Sequence, residues 1–207
     1  MQTKIKQITE LQAIAQSGLA YCKDEFDIAR YKRILEIAAD LLVSGSSYSY
    51  EHILELFNSD NGYCTPKIDI RGAIFRKGKI LLVQEKSCGL WSLPGGWADV
   101  NLSPSENVIK EIKEETGFDS TVIKLIGIFD KRKNNPEGLR WPHVYKVFFL
   151  CKIEALKRGE FDRTEILEMD FFDYENIPPL SVTRVNRQQI DLCFKHLKNK
   201  LLLPKFD

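Results

Sequence analysis

Three glutamates near the middle of the chain, Glu111, Glu114 and Glu115, have a spacing that suits a metal site. Residues at i, i+3 and i+4 lie on one face of a helix, so the three carboxylates would be neighbours. Like charges this close repel one another, and a divalent cation is the simplest way to neutralise them. Carboxylate oxygens suit Mg²⁺ or Mn²⁺. On the helix alone, a solvent-exposed acidic helix end explains the pattern equally well.

The same segment carries signals for the start and the end of a helix. Ser103 followed by Glu106, with a proline at the first helical position, predicts a capping box. Gly117 is placed to end the helix in a left-handed conformation. Glu114 and Glu115 would then lie in the last turn, where the helix dipole disfavours anions. Acidic residues placed against this bias indicate a functional role.

A glycine pair, Gly95-Gly96, precedes this helix in a Leu-Pro-Gly-Gly-Trp segment. Adjacent glycines allow close backbone approach, so the Gly96 carbonyl can join a metal shell. With these residues the chain resembles the Nudix hydrolase family, whose signature would run here from Gly96 to Phe118. The matching residues are Gly96, Glu111, Ile112, Glu114, Glu115 and Gly117. The resemblance implies an α/β/α sandwich with a mixed sheet, and Mg²⁺ (or Mn²⁺) held by Gly96, Glu111, Glu114 and Glu115.

Two positions depart from the family signature. Leu102 stands where the family has its first glutamate, and Lys110 stands where it has arginine. In the family these two residues pair with each other and shape the loop. Asp99 lies three residues before Leu102, and we hypothesise that it supports Lys110 instead.

The resemblance implies hydrolysis of a pyrophosphate, which requires a base to take a proton from the attacking water. In the family this base is a glutamate of the signature helix, here Glu115, or one on a later loop. Glu165 is where such a loop acid is expected, with Glu168 as a weaker rival. A plain surface glutamate is an equally good interpretation of Glu165.

Four further residues are candidates for substrate binding. Trp97 flanks the glycine pair and could stack on a base or ribose, although a place in the core suits it as well. Arg132 belongs to a basic triplet, residues 131–133, that could bind phosphate oxygens or simply be solvated. Trp141 and His143 end the same long polar loop and could contact the nucleoside or the second group.

The chain changes character near residue 60. Residues 1–60 have helical periodicity, with three helices predicted over about 4–22, 24–43 and 50–57, the first interrupted or loosened at Gly18. We expect this domain to mediate homodimerisation, with a simple covering role as the alternative. Residues 66–207 alternate strands with a central helix and end in a helix predicted over 182–197, which is typical of an α/β sandwich. A short strand is predicted at 170–173.

The composition excludes several classes of protein. The formal net charge of +1 gives no overall field for nucleic acid or an anionic membrane. Five scattered cysteines without metal-site spacing indicate reduced thiols. No apolar run is long enough to span a membrane, and the first residues do not read as a signal peptide. We therefore expect a cytoplasmic protein with no membrane partner.

The substrate class follows from the resemblance alone. The helical extension and the Phe-Phe-Asp…Ile-Pro-Pro-Leu-Ser tail resemble a Gram-positive Nudix branch described as CDP-choline or ADP-ribose pyrophosphatases. This implies a nucleoside diphosphate linked to a second group, with CDP-choline slightly favoured. Choline would suit an aromatic box, for which Trp141, Tyr145 and Phe129 are available. A non-catalytic nucleotide-sensing module and an RNA end-processing hydrolase remain as alternatives.

Overall fold

The computed structural model describes residues 2–44, 48–134, 142–154 and 159–207. The chain divides into two compact units, one formed by the residues up to Pro66 and the other by most of Lys67–Asp207. The first unit is helical and the second contains a mixed sheet with helices on both faces. The predicted fold class is therefore confirmed. Among the described residues, no helix is both long and apolar enough to cross a membrane.

Where the structure describes the N-terminal unit, it forms three helices, α1 (Gln2–Tyr21), α2 (Glu25–Val43) and α3 (Tyr50–Asn58). The Asp24 carboxylate caps α2 by accepting hydrogen bonds from the backbone N–H groups of Phe26 and Asp27, both at 3.0 Å. Apolar residues at helical spacing form one shared core. Its buried members are Ile8, Ala15, Leu35, Ala38, Ala39, Leu42, Ile53 and Phe57.

The predicted break at Gly18 is wrong, because α1 runs through this residue without interruption. The Tyr31 ring of α2 packs directly against it. A Cβ at position 18 would lie only 2.4 Å from ring atoms of Tyr31. The glycine therefore permits a close helix–helix contact, which outweighs its low helix propensity of about 1 kcal/mol relative to alanine.

In the described part of the C-terminal unit, seven strands form a sheet in the order β3-β2-β1-β5-β4-β7, with β6 also paired to β2. The strands are β1 (Lys67–Arg76), β2 (Lys79–Glu85), β3 (Trp91–Ser92), β4 (Ser120–Asp130), β5 (Val144–Ile153), β6 (Ile166–Phe172) and β7 (Lys205–Phe206). The β1–β5 and β4–β7 pairs are parallel and the others antiparallel. The predicted Lys77-Gly78 hairpin is confirmed, with positive φ at both residues.

The described residues of this unit also form three α-helices, α4 (Pro104–Thr116), α5 (Lys131–Asn134) and α6 (Arg187–Lys198). The α4 face of the sheet buries one apolar cluster, which includes Ile70, Ile74 and Ile112. The opposite face buries a second, to which α6 contributes Ile190 and Phe194. This two-sided burial confirms the sandwich and fixes α4, with its acidic side chains, against β1.

Two predicted boundaries are wrong. Helix α6 begins at Arg187, not at residue 182, because Asn186 and Gln189 form a capping box there. The residues before it turn instead, with the Arg184 and Val185 amides bonded to the Ser181 carbonyl. The strand predicted at 170–173 extends back to Ile166, since pairing with β2 continues along its length.

The imidazole of His196 on α6 is fully buried, and neither ring nitrogen has a hydrogen-bond partner among the described residues. A buried polar group without a partner costs about 1–3 kcal/mol. We predict that His196→Leu raises the free energy of unfolding by about 1 kcal/mol, measured by urea denaturation. His52→Leu is the control, because His52 is exposed; a variant at His196 less stable than this control would contradict the prediction.

The pH dependence gives a second readout at this position. Burial lowers the pKa of His196, with Lys124 adding to the effect. The unfolded chain therefore binds a proton more readily, and the wild-type protein loses stability as the pH falls below about 6.5. His196→Leu should flatten this part of the stability curve.

Candidate active site

The glycine loop lies alongside the first half of β1 and extends the sheet there. The amides of Gly72 and Ile70 donate to the carbonyls of Pro94 (2.9 Å) and Gly96 (2.8 Å). Gly95 has a φ of +138°, and a Cβ at this position would lie 2.0 Å from the Ile70 carbonyl oxygen. Only glycine fits here. The Gly96 carbonyl keeps one lone pair for a further ligand.

Helix α4 begins and ends as predicted. The Ser103 hydroxyl accepts from the Glu106 amide (3.3 Å), and the Glu106 carboxylate accepts from the Ser103 amide (2.8 Å). Gly117 ends the helix with a φ of +71°. The capping box is therefore confirmed, and it sets where the acidic residues of the last two turns lie.

Glu115 is the most deeply placed of the three acids, with 9% of its surface exposed. Its Oε2 accepts a hydrogen bond from the Gly95 amide at 2.8 Å, which ties α4 to the glycine loop. Burial raises the pKa of Glu115 to about 8, against the opposing effect of Arg71. Nearby Glu111 also raises it, whereas Arg71, the Gly95 amide and Arg184 lower it, so burial outweighs the positive charges around this carboxylate.

Glu111 lies against the other glycine of the pair. A Cβ at Gly96 would come within 2.9 Å of Glu111 Oε2, so the glycine makes room for this carboxylate. Burial is the main cause of a raised pKa at Glu111 as well. Glu115 thus contacts Gly95 and Glu111 lies against Gly96, so both carboxylates lie at the glycine pair.

Glu114 differs from Glu111 and Glu115, because it is exposed and forms an ion pair with Lys110. The Lys110 ammonium lies 2.8 Å from Glu114, 3.1 Å from Asp99 and 4.0 Å from Glu111. The hypothesis that Asp99 supports Lys110 is therefore confirmed as a contact. Lys110 therefore lies near two of the three glutamates that the sequence predicts as metal ligands.

The arrangement fits a divalent cation only in part. In the described part of the chain, no three His, Cys, Asp or Glu side chains are grouped so that they could hold a metal ion. Buried Glu115 and partly buried Glu111 do both lie at the glycine pair, and carboxylate oxygens are ligands that such a cation prefers. Burial disfavours the charged form of Glu115, and a bound cation would favour it.

A group of buried charges beside Glu115 was missed by the sequence analysis. Arg71 donates two hydrogen bonds to Asp69, at 2.6 and 3.2 Å, and a third to the Leu93 carbonyl. Arg184 pairs with buried Glu85 at 2.6 Å. Both Arg71 and Arg184 act on the Glu115 carboxylate.

Lys146 completes this group of buried charges. Its ammonium lies 3.9 Å from Asp69 and donates to the carbonyls of Thr183 and Arg184. Burial lowers the pKa of Lys146 to about 7. A signal for these residues exists in the sequence: charged residues interrupt the apolar strands Ile68–Phe75 and Val144–Ile153.

The residues predicted to bind substrate differ in exposure and in their contacts. The Trp97 side chain is 55% exposed, and its backbone forms a bridge with Asp69 at the edge of the site. Its ring is therefore available for stacking, and a place in the core is wrong. Trp91 takes the core position instead, packed edge-on against Phe172. Trp141 lies outside the described residues.

Arg132 and His143 meet at the same acid. Arg132 donates to both oxygens of Asp130, at 2.8–3.2 Å, and His143 Nε2 lies 3.3 Å from that carboxylate. Burial lowers the pKa of His143. The Arg132 charge is thus already neutralised by Asp130, and a substrate role for either residue stays a prediction.

Glu165 lies exposed in the turn before β6, and its carbonyl accepts from the Lys86 amide. The strongest charges acting on Glu115 are those of Arg71, Glu111 and Arg184, and Glu165 is not among them. Glu168 is exposed on β6. The role of either acid as the base stays a prediction.

Comparison with known proteins places both parts of the chain. Residues 66–193 match the model of the NUDIX domain, and residues 3–57 match that of a UDP-X-like, N-terminal oligomerisation domain. YjhB of Bacillus subtilis (strain 168), provisionally named an ADP-ribose pyrophosphatase, is 40% identical over 96% of this chain and 95% of its own.

Two crystal structures are similar over long stretches. An ADP-ribose pyrophosphatase of Streptococcus suis 89-1591 is 42% identical and covers 69% of this chain and 100% of its own, with a TM-score of 0.62. A UDP-X diphosphatase is 31% identical and covers 99% of this chain and 98% of its own, with a TM-score of 0.62. Together with the signature around Glu111 and Glu115, these matches show that the chain belongs to the Nudix hydrolase family.

Proposed function

We propose that the protein is a Mg²⁺-dependent pyrophosphatase that hydrolyses a nucleoside diphosphate linked to a second group, with ADP-ribose as its representative substrate. The observation that carries this proposal is Glu115, buried beside Arg71 and bonded to the Gly95 amide within a matching signature. Water would add to one phosphorus as the bridging P–O bond breaks. ADP-ribose would thus yield AMP and ribose 5-phosphate.

The choice of ADP-ribose over CDP-choline differs from the preference that the sequence indicated. YjhB and the Streptococcus suis protein are named for ADP-ribose. An aromatic box for choline finds little support, because Phe129 is buried in the core with 3% exposure and packs on Phe148. CDP-choline remains the alternative substrate.

For the metal, the proposed ligands are Glu111, Glu114, Glu115 and the Gly96 carbonyl. A bound divalent cation would neutralise phosphate charge and lower the pKa of a coordinated water. The chain's own contribution is to hold the carboxylates and the glycine loop in place through the Gly95–Glu115 hydrogen bond. Glu165 and Glu115 remain the candidates for the base.

Lys110 should oppose metal binding, since it competes for Glu114. We predict that Lys110→Met lowers the Kd for Mn²⁺ about three- to tenfold, measured by calorimetry without substrate, because an adjacent cation is removed and a carboxylate is released. Lys113→Met is the matched control: Lys113 is on the same helix but pairs with Asp119 at 2.8 Å. Equal Mn²⁺ affinity in both variants would contradict this role for Lys110.

For the N-terminal unit we propose a homodimerisation role, with domain limits at 1–60 and 66–207. The matching family model is described as an oligomerisation domain. The helices also expose large apolar side chains, namely Ile14, Tyr21, Phe26, Ile37 and Leu41. Light scattering on the full chain tests this, and a monomer at micromolar concentration would refute it. The free state of all five cysteines supports a cytoplasmic location.

One substrate panel tests the proposed activity against its rivals. The protein is incubated with Mg²⁺ or Mn²⁺ and ADP-ribose, CDP-choline, NADH, nucleoside triphosphates or 5′-triphosphate RNA, and monophosphate and pyrophosphate are quantified. AMP release from ADP-ribose is the expected result. No turnover with either metal would favour a nucleotide-sensing module, and a preference for the RNA would favour end processing.

A further inference from the structure

Glu85, the last residue of β2, is a buried acid with one carboxylate oxygen that has no hydrogen-bond partner among the described residues. Only 6% of its surface is exposed. Its Oε2 receives a 2.6 Å bond from Nε of Arg184 and lies 3.8 Å from the Cys88 sulfur, whereas Oε1 is the atom without a partner. A buried polar atom of this kind is costly and rare in native proteins, so a partner that binds there is to be sought.

Arg184 is held at its backbone and at one side-chain nitrogen, yet its side chain is 41% exposed. Its carbonyl and that of Thr183 accept hydrogen bonds from the buried Lys146 ammonium. The ion pair with Glu85 uses Nε alone, and the two terminal nitrogens have no partner in the described part of the chain. Those nitrogens carry the other four N–H donors of the guanidinium. The pair therefore presents unused donors beside an unused acceptor.

The segment before Arg184 is bonded to β3, the strand that leads into the glycine loop. The Ser181 amide donates to the Trp91 carbonyl at 2.8 Å. The Glu85 amide donates to the carbonyl of Leu90, directly before β3, at 2.9 Å. The Glu85–Arg184 pair therefore lies beside the strand from which the chain enters the glycine loop.

A series of buried contacts also connects the pair to the glycine loop. Lys146, which holds the Arg184 carbonyl, lies 3.9 Å from Asp69. Asp69 pairs with Arg71 at 2.6 Å. Arg71 in turn donates to the Leu93 carbonyl at 3.1 Å, two residues before the first glycine of the loop. The pair is thus joined to the proposed reaction centre by side chains that fix one another.

Neighbouring hydroxyl groups fit this pair, because a hydroxyl both donates and accepts. One hydroxyl can donate to Glu85 Oε1 while the next accepts from a terminal nitrogen of Arg184. The ion pair carries no net charge, so a phosphate or an ammonium group gains little from it by charge alone. A quaternary ammonium has no N–H or O–H and would leave Oε1 unpaired.

A nucleobase also carries donors next to acceptors, but bases are usually bound by stacking on an aromatic ring as well. The ring of Trp91 on β3 is not available for this, because it packs edge-on against Phe172. An exposed ring is present instead at Trp97. These observations favour a sugar that carries no base, which is the second half of the proposed substrate.

We propose that Glu85 and Arg184 bind neighbouring hydroxyl groups of the sugar in the second half of the substrate, and that they select a sugar phosphate over choline phosphate. This deepens the proposed function and rests on it. The two side chains in contact with the carboxylate, those of Arg184 and Cys88, both reach solvent. A change of rotamer at the surface, which is common on binding, gives the sugar access to Oε1.

The test compares Glu85→Met and Arg184→Met with Lys79→Met. Lys79 lies at the other end of β2, pairs with Asp173 at 2.8 Å and has a side chain that is 44% exposed, so it matches Arg184 in charge and exposure. Both test variants are expected to lower kcat/KM for ADP-ribose about ten- to hundredfold, as the loss of hydrogen bonds to charged groups implies, and to lower that for CDP-choline much less. Lys79→Met should leave both values near those of the wild-type protein.

An equal loss for both substrates in Glu85→Met would overturn the recognition of the second sugar. Urea denaturation checks that this variant is folded. If it is not, the same comparison is made with Arg184→Met, which changes a partly exposed residue, and an equal loss there has the same meaning.

A binding measurement separates this site from the proposed activity. Ribose 5-phosphate, inorganic phosphate and AMP are titrated calorimetrically into each protein with Ca²⁺ present. Weaker binding of ribose 5-phosphate by Glu85→Met than by Lys79→Met, with phosphate and AMP unaffected, supports the site even if no substrate of the panel is hydrolysed. Equal binding of ribose 5-phosphate by the two variants, no binding by the wild-type protein, or an equal loss for AMP overturns it even if ADP-ribose is hydrolysed.

Discussion

Replacing Glu115 with glutamine is expected to lower kcat for ADP-ribose by at least about 10²-fold, the lower end of the contribution of a general base. The amide keeps the size of the side chain and can still accept the bond from Gly95, so the loop stays in place. It removes the charge that would bind a divalent cation. Mn²⁺ affinity, measured by calorimetry, should fall together with kcat.

Stability should respond to Glu115→Gln in the opposite direction. The pKa of Glu115 is raised to about 8 in the folded protein, well above its value of about 4.3 in an unfolded chain. The folded state therefore binds the extra proton between these values, and metal-free protein loses stability as the pH rises through this window. In the variant this loss should disappear, as followed by urea denaturation at pH 5, 6.5 and 8.

Glu165→Gln and Glu168→Gln provide the comparison for the base. If Glu165 takes the proton, its variant should lose about 10²-fold or more in kcat without a change in Mn²⁺ affinity. Glu168→Gln should remain near the wild-type rate. A loss under about tenfold for Glu165→Gln would remove Glu165 from the mechanism, and a near-normal kcat for Glu115→Gln would remove Glu115.

Replacing Arg71 with methionine is expected to destabilise the C-terminal unit by about 3–5 kcal/mol, because it leaves the buried Asp69 carboxylate without its main partner. Unfolding in urea can be followed by the fluorescence of Trp91 and Trp97, which lie in this unit. Arg30→Met is the control, since the Arg30–Asp27 pair is exposed and such pairs contribute about 0–1 kcal/mol.

The double variant Asp69→Leu with Arg71→Met separates stability from activity. Removing both members of a buried ion pair is often neutral or stabilising, so most of the lost stability should return. Turnover should stay low, because Arg71 would still be missing beside Glu115. Recovery of both stability and kcat would show that Arg71 has only a structural role.

The features that the sequence predicted correctly depend on neighbours in the chain. The capping box of α4, its glycine end and the Lys77-Gly78 hairpin each involve backbone groups only a few residues apart. The apolar stripes of the helices and strands are local as well. The match to the Nudix signature is likewise a matter of residue types at defined spacing around Glu111, Glu114 and Glu115.

Other features were decided only when distant segments met. The sequence shows that Arg132 follows Asp130 by two residues, but only the fold shows that its guanidinium pairs with that carboxylate. The sequence also cannot show that Gly18 makes room for the Tyr31 ring, since that contact depends on helix packing.

Helix α4, which carries the three glutamates, has some features that follow from the sequence and others that only the fold decides. Its spacing and its caps follow from the sequence by itself, because they depend on local backbone geometry. The different surroundings of its glutamates do not follow from the sequence. Glu115 is buried against Gly95, while Glu114 forms an ion pair with Lys110. The tertiary structure decides this because burial and charge pairing depend on which surfaces come together, and the pKa of a carboxylate follows from those surroundings.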